Sequence, residues 1–212
     1  VATNALIEHE GATTGMLTTA GFRDVIHIGR HRKPHSFSLQ QTIPWQEHPI
    51  VERRHRKEIE ERIMPPGEVV TPLDEESVVQ AAGELVDDGV DSIAVCYLHA
   101  YLNTTHEDRT KELIDEAFPD VRVSTSNEVV AQFREFERFT TTAINARLEP
   151  VMVSYLDRLQ ERLAESGFEV ETLIMQSNGG MASLRSIKER PVMTLVSGPA
   201  AGVLSAEFEG RN

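Results

Sequence analysis

The chain has almost no cysteine: Cys96 stands alone among 212 residues. One thiol closes no internal disulfide, which excludes a disulfide-stapled domain and fits a reducing, cytoplasmic setting. Cys96 lies in the apolar run Ile93-Ala94-Val95-Cys96, the setting of a buried small hydrophobe rather than a nucleophile. Lysine is scarce too, limited to Lys33, Lys57, Lys111 and Lys188. Basic residues number 21 against 34 acidic ones, a net charge of −13, which argues against nucleic acid or an anionic membrane as partner. An acidic, lysine-poor surface suits a high-salt cytoplasm and an ordinary acidic protein equally. No apolar run approaches the length of a membrane span. Val1-Ala2-Thr3-Asn4 has no basic head, no apolar body and no initiator Met, so a fragment or processed chain is expected rather than a signal peptide. There is no Walker loop of the form GxxxxGK[ST], no repeat and no low-complexity segment.

What is present reads as a soluble globular chain of one large or two small domains, with 40% hydrophobic and 26% charged residues. Thr3 to His9 predicts a short helix stopped by Gly11. Thr14 to Thr19 predicts a strand turning at Ala20-Gly21, and Gly21 to Ile28 has helical spacing. The segment from Gly29 to Pro72 is rich in charge, proline and histidine. His27, His31, His35, His48 and His55 match no compact ligand spacing, so solvated loop histidines are the favoured reading and a metal site the minority one. Arg53 to Ile63 reads as a helix, with Ile59 and Ile63 four apart, or as a polar strand at a sheet edge. Asp74 caps a helix to Val86 with Val78, Val79, Ala82 and Leu85 as its apolar stripe. Ser92 to Leu98 predicts a central parallel strand, Glu107 to Phe118 a helix capped by Asn103-Thr104-Thr105, and Val121 to Ser124 a strand. This β-α-β-α-β rhythm calls for an α/β fold with a parallel or mixed sheet. Phe133 to Gly167 predicts the longest helical region, broken or kinked at Pro150.

The stretch from Leu173 to Ala206 holds two apolar runs that each end in glycine. Leu173-Ile174-Met175 leads to Ser177-Asn178-Gly179-Gly180, and Val192 to Val196 leads to Ser197-Gly198-Pro199-Ala200-Ala201-Gly202 and a small-residue helix. Strands delivering such turns can present free amides to an anion, or can merely need tight turns and close helix packing. Three further places admit two readings. Thr140-Thr141-Thr142 either bonds back to the preceding helical turn or forms a polar face near a ligand. Arg134, Glu135, Glu137 and Arg138 form either a solvated face or a cleft, with Arg138 on an anionic group and Glu135 for acid–base work. His99, at the likely carboxyl end of a strand, is a candidate by position, whereas Asn103 and Thr105 are explained by capping.

Taken in order, VATNALIEHEGATTGMLTTAGFRDVIHIGR, SIAVCYLHAYLNTTHE, FREFERFTTTAINARLEP, MQSNGGMAS and SGPAAGV resemble the hydantoinase A/5-oxoprolinase family over nearly the whole chain. The resemblance implies an actin-like ATPase (ribonuclease H-like) fold with a mixed sheet, here incomplete. It implies an N-terminal hydantoinase/oxoprolinase-type region at 1–132 and the start of a second α/β domain at 133–212. It also implies ATP, with Mg2+, driving the opening of a cyclic amide such as a hydantoin or 5-oxoproline, and a hydantoinase B-like partner subunit. Related members are ketone carboxylase subunits, which gives an alternative; a non-catalytic remnant or interaction module is another. Family members carry a Gly- and Thr-rich acidic phosphate loop ahead of VATNAL and an Asp-x-Gly-Gly-Thr-like loop after SGPAAGV, both outside these 212 residues. On this resemblance Gly198 to Ala206 is a connecting helix at a domain junction. Ser177, Asn178, Gly179 and Gly180 form a cleft loop, Ser197 and Gly198 lie at the junction, and Glu135 and Arg138 are substrate-side polar groups. The 212 residues alone are expected to bind ATP poorly and turn nothing over.

Overall fold

The computed structural model describes residues 1–30, 35–168 and 170–210, so His31, Lys33 and Pro34 lie outside the described residues. In chain order come α1 (Ala2–Ile7), β1 (Thr14–Thr19) and the short helices α2 (Val25–Ile28) and α3 (Pro44–Glu47). Next are β2 (Arg56–Ile59), β3 (Arg62–Met64), β4 (Glu68–Thr71), α4 (Glu75–Asp87) and β5 (Ser92–Cys96). Then follow α5 (Thr105–Ala117), β6 (Arg122–Thr125), α6 (Ser126–Val130) and the long α7 (Glu135–Glu165). The chain continues through β7 (Leu173–Met175), β8 (Met181–Ser183), α8 (Leu184–Glu189) and α9 (Ser197–Gly210). Two compact units result: Thr13–Arg147, and Val1–Ala12 together with Leu148–Asn212.

The first unit is built on a four-stranded, wholly parallel sheet in the order β2-β1-β5-β6. Every residue of β1 and of β5 is buried, as a parallel strand covered on both faces requires. Alternation along the strands divides the core in two. Leu17, Ile93 and Val95 face Val78, Ala82 and Leu85 of α4 and Ile114 of α5. Met16, Ala94 and Cys96 face Ile26, Val51 and the Phe139, Ala143 and Ala146 stripe of α7. Gly15 lets α4 approach: a Cβ there would stand 2.8 Å from a Leu85 methyl. Asp74 caps α4 by accepting from the Ser77 amide at 3.2 Å. Burial pushes the Cys96 thiol well above its ordinary range, as expected of a small core hydrophobe.

Arg53 to Ile63 takes its strand form. Arg56 and Ile59 are buried in edge strand β2, while Ile63 belongs to β3, which pairs antiparallel with β4. Sheet burial overrides the helical spacing of the two isoleucines. Gly21 to Ile28 is helical only over Val25–Ile28, because the Phe22 amide turns back to the Thr19 carbonyl at 3.0 Å and Gly21 sits at φ 85°. Pro150 does not interrupt α7, which runs through it. The ring removes only the amide that would bond four residues back, and the flanking turns persist.

In the second unit, β7 and β8 form an antiparallel hairpin, so the SNGG turn joins two strands. Val192 to Val196 is not a strand. Pro191–Thr194 forms a 3-10 turn instead, with the Thr194 hydroxyl donating to the Pro191 carbonyl at 2.8 Å. Proline at its first position presets the helical φ. The small-residue helix that follows is α9. Within this unit the Val196 amide donates to the Thr3 hydroxyl at 3.0 Å. Among the described residues no helix is long and apolar enough to cross a membrane.

Candidate functional site

All four strands of the parallel sheet end on one edge, the edge where α/β folds place ligands. The register shows it: Thr19 pairs with Ile59, Thr18 with Cys96, and Val95 with Thr125. The residues just past these ends carry a buried polar network. The Thr19 hydroxyl accepts from the Leu98 amide at 2.9 Å and donates to Glu61 Oε1. Glu61 Oε2 meets His106 Nδ1 at 2.7 Å, with the Glu61 side chain fully enclosed. A carboxylate acceptor at Nδ1 selects the Nδ1–H tautomer and leaves Nε2 as the acceptor of the ring, the arrangement of an oriented general base. Thr19 has its proton and a lone pair engaged, so it positions Glu61 rather than attacking anything.

His106 and Glu107 sit in the first turn of α5, where Asn103 Oδ1 caps by accepting from the Thr105 amide at 3.1 Å. Glu107 accepts from the Tyr97 amide at 2.9 Å, the Ser126 hydroxyl at 2.6 Å and the Asn127 amide at 2.8 Å. Burial nevertheless pushes its carboxyl up to about 7, against those bonds and the charge of Arg138. Arg138 is itself 1% exposed. Its Nε donates to Ser126 Oγ at 3.1 Å, Nη1 to the Gln132 carbonyl at 2.8 Å and Nη2 to the Tyr97 carbonyl at 2.8 Å.

The residues expected to act fall in different surroundings. Arg138 spends its donors on protein oxygens and so ties β5, α6 and α7 together. Glu135 is the first residue of α7 and half-buried, and among the described residues it shares no hydrogen bond with Arg138. His99 follows β5 as anticipated, at φ 58°, with its Nδ1 buried and unpartnered. Glu61 and Glu107 carry no local motif, and His106, seven residues from His99 across a turn, has no ligand spacing to mark it. They are 45 residues apart or hidden in a capping run, and their burial at the sheet edge has no periodic signature.

A nucleotide asks for amides that face outward, and the two glycine turns meet that demand unequally. In the hairpin turn the Ser177 amide donates to the Met193 carbonyl at 2.7 Å. The Gly179 amide donates to the Gln176 carbonyl at 3.0 Å and the Gly180 amide to Asn178 Oδ1 at 2.8 Å. These committed amides do not form a phosphate cradle. Ser197 and Gly198 instead open a helix whose first amides have no partner within it, and a Cβ on Gly198 would meet nothing within 4 Å. That end fits an anionic group in kind. Among the described residues no group of three or more His, Cys, Asp or Glu side chains could hold a metal ion.

Comparison with known proteins gives this geometry a context. The Hydantoinase/oxoprolinase N-terminal region model matches residues 1–118, and the Hydantoinase/oxoprolinase model matches residues 138–210. The caprolactamase subunit alpha of Pseudomonas jessenii is 36% identical over 95% of this chain and 29% of its own length. The acetophenone carboxylase gamma subunit of Aromatoleum aromaticum is 32% identical over 98% of this chain and 30% of its own. The 5-oxoprolinase 1 of Arabidopsis thaliana is 30% identical over 96% of this chain and 17% of its own. The crystal structure of the ATP-dependent caprolactamase from Pseudomonas jessenii superimposes with a TM-score of 0.87, covering 99% of this chain and 31% of that one. The chain thus spans less than a third of the length of these relatives.

Proposed function

The chain belongs to the hydantoinase/oxoprolinase family, and from that premise we propose that the protein carrying it hydrolyses a cyclic amide at the expense of ATP. The carrying observation is the likeness to caprolactamase, which holds in sequence and in fold across nearly the whole chain. A lactam or 5-oxoproline-type ring is the proposed substrate class, and the actin-like ATPase architecture, with domains meeting near residue 132, is the proposed frame. Mg2+ is the proposed companion of the nucleotide, a companion subunit of the hydantoinase B kind is the proposed partner, and the cytoplasm is the proposed location.

Within this reading the residues divide the work as follows. Ser197 and Gly198 face the nucleotide at the start of α9. Bound ATP would supply a phosphoryl group to the amide oxygen, activating the carbonyl carbon to water. The ring C–N bond then breaks as the nitrogen takes a proton, and hydrolysis of the resulting acyl phosphate releases the acid and phosphate. The Ser177–Gly180 turn is a cleft wall whose hydrogen bonds hold its shape. Glu61 orients His106 as the base that takes a proton from water. Arg138 and Glu107 fix the Tyr97 backbone on both sides, with Glu135 as a polar group at the mouth of α7.

The test uses the intact protein with its companion subunit, ATP and Mg2+. Caprolactam, 5-oxoproline and hydantoin are offered singly, and the ring-opened amino acid and ADP are quantified. Equal molar release of both with one lactam is the expected result. A second reading rests on the acetophenone carboxylase likeness, which covers 98% of this chain. Under it, ADP would appear only with a ketone and bicarbonate, and no ring would open.

A further inference from the structure

Away from the carboxyl edge of the sheet, a separate pocket of about 50 Å3 lies within the Thr13–Arg147 unit. Ile26, Trp45, Ile50 and Phe136 give it apolar walls, and Arg56 and Thr140 are its polar members. Both polar members are incompletely partnered. Arg56 is 3% exposed, and its Nε and Nη2 donate to the Val51 carbonyl at 3.0 and 2.8 Å. Among the described residues its Nη1 has no hydrogen-bond acceptor. The nearest carboxylate, Asp24, lies 3.6 Å away, too far to accept. Asp24 is taken by Arg53 through a two-pronged pair at 3.0 and 2.9 Å. The Thr140 hydroxyl is likewise buried without a partner, unlike Thr142, whose hydroxyl bonds back to the Arg138 carbonyl at 2.8 Å.

A buried guanidinium proton and a buried hydroxyl left unbonded are costly, and native folds rarely leave such groups idle. The surroundings are also rich in cations in a chain of net charge −13: Arg23, Arg53 and Arg56 cluster around Asp24, with Glu58 acting on Arg53 from further off. Burial lowers the Arg56 pKa, opposed by Asp24 and reinforced by Arg53 and Arg23. A second negative charge at Nη1 relieves that strain. Size limits the occupant. A water-sized group needs about 10–15 Å3, so the space of about 50 Å3 takes about three to five such groups, far fewer than a nucleotide contains.

We propose that this pocket binds a short-chain monocarboxylate of two or three carbons. Its carboxylate lies between Arg56 Nη1 and the Thr140 hydroxyl, both donating, and its alkyl end against Trp45, Ile26 and Phe136. The charge explains the cation, the second oxygen explains the hydroxyl, and the apolar walls explain why a bare halide is a poorer fit. The proposal stands apart from the reading of the intact protein as a cyclic amidohydrolase, because it concerns different residues.

Trp45 is the only tryptophan of the chain, and its ring is held at the pocket by a 3.0 Å bond from Nε1 to the His27 carbonyl. Its fluorescence therefore reports occupancy. The full chain is titrated with sodium acetate, sodium propionate, propionamide and sodium chloride at fixed ionic strength. A saturable change with propionate is expected at about fourfold lower concentration than with acetate, the worth of one buried methylene. Chloride and propionamide are expected to give no saturable change. Thr140→Val keeps the shape and is expected to weaken propionate about tenfold. Ala143→Leu fills the pocket and is expected to abolish the response, with circular dichroism confirming that each variant is folded. No saturation with either carboxylate, or equal saturation by chloride or propionamide, overturns the proposal. So does wild-type binding by a folded Ala143→Leu variant. The four ligands on the unaltered chain decide the matter even if a variant fails to fold.

Discussion

In the Thr13–Arg147 unit the sheet is covered on both faces, and Met16, Leu17, Ile93, Val95 and Cys96 have no exposed surface. Charged groups are buried with them, and Glu61, Glu107 and Arg138 are each bonded by several neighbours. The unit of Val1–Ala12 and Leu148–Asn212 is organised differently. Its longest helix after α7 is α9, which has no buried residue, and Val203 and Phe208 there are 70% and 69% exposed. Its turns hold their form through backbone bonds such as Gly179 to Gln176 and, from further along the chain, Ser177 to Met193. One unit is thus built around a sheet buried on both faces with charged groups satisfied inside it; the other buries residues such as Leu148, Leu156 and Ile187 but leaves its last helix exposed. Buried polar networks fail expensively when a member is lost, whereas exposed apolar groups cost little to change.

The sharpest way to break this comparison is Arg138→Ala. The substitution strands the Tyr97 and Gln132 carbonyls and the Ser126 hydroxyl, and leaves Glu107 without its cation. Losing one member of a buried charged group costs about 3–5 kcal/mol, to be read from urea unfolding of the chain. Arg138→Lys is expected to recover only part of this, because an ammonium cannot reproduce the planar fork. A loss below about 1 kcal/mol for Arg138→Ala would show that the network is not what fixes the carboxyl edge.

Next in size is a pH effect confined to the same unit. Glu107 has its carboxyl raised from 4.5 to about 7 in the folded chain, chiefly by burial. The folded state therefore holds this proton more tightly than the unfolded state. The resulting stabilisation is complete below about pH 4.5 and is lost as pH rises through 7. At about 1.4 kcal/mol per pKa unit, the change is on the order of 3 kcal/mol across that window. Glu107→Gln removes the titration. Chemical unfolding of both proteins between pH 4.5 and 7.5 is expected to give a flatter profile for the variant, and parallel profiles would rule Glu107 out as the source.

Much of the buried unit could be read in the sequence because burial on two faces imposes near-continuous apolar runs. TGMLTT and SIAVC were placed as strands for that reason, and Asp74 as a cap because its side chain had a nearby amide to serve. The mostly parallel α/β architecture followed from the order of those elements. The polar edge was less legible. Thr19, Glu61 and His106 meet only after the chain has passed from β1 to β2 and on to β5, and no local spacing encodes that meeting. Where spacing left two readings for Arg53 to Ile63, tertiary burial decided for strands, with Ile59 and Ile63 in separate ones. The helix continues through Pro150 without a break, and Pro191 turns an apolar run read as a strand into a 3-10 turn. Thr140 to Thr142 divided: Thr142 bonds to its own helix and Thr140 does not.

The smallest expected effect tests the other side of the comparison. Phe208 is 69% exposed on α9, so Phe208→Ser removes little buried area and is expected to change stability by less than about 0.5 kcal/mol. Unfolding is to be measured at two protein concentrations at least tenfold apart. A cost above about 1 kcal/mol that grows with concentration would mean that α9 is covered by a second copy of the chain in solution. The same cost without concentration dependence would mean that α9 packs intramolecularly, and the contrast between the two units would then vanish. A negligible cost at both concentrations keeps the contrast: the apolar surface of α9 contributes nothing to holding this chain together, and the sheet with its buried charges contributes most.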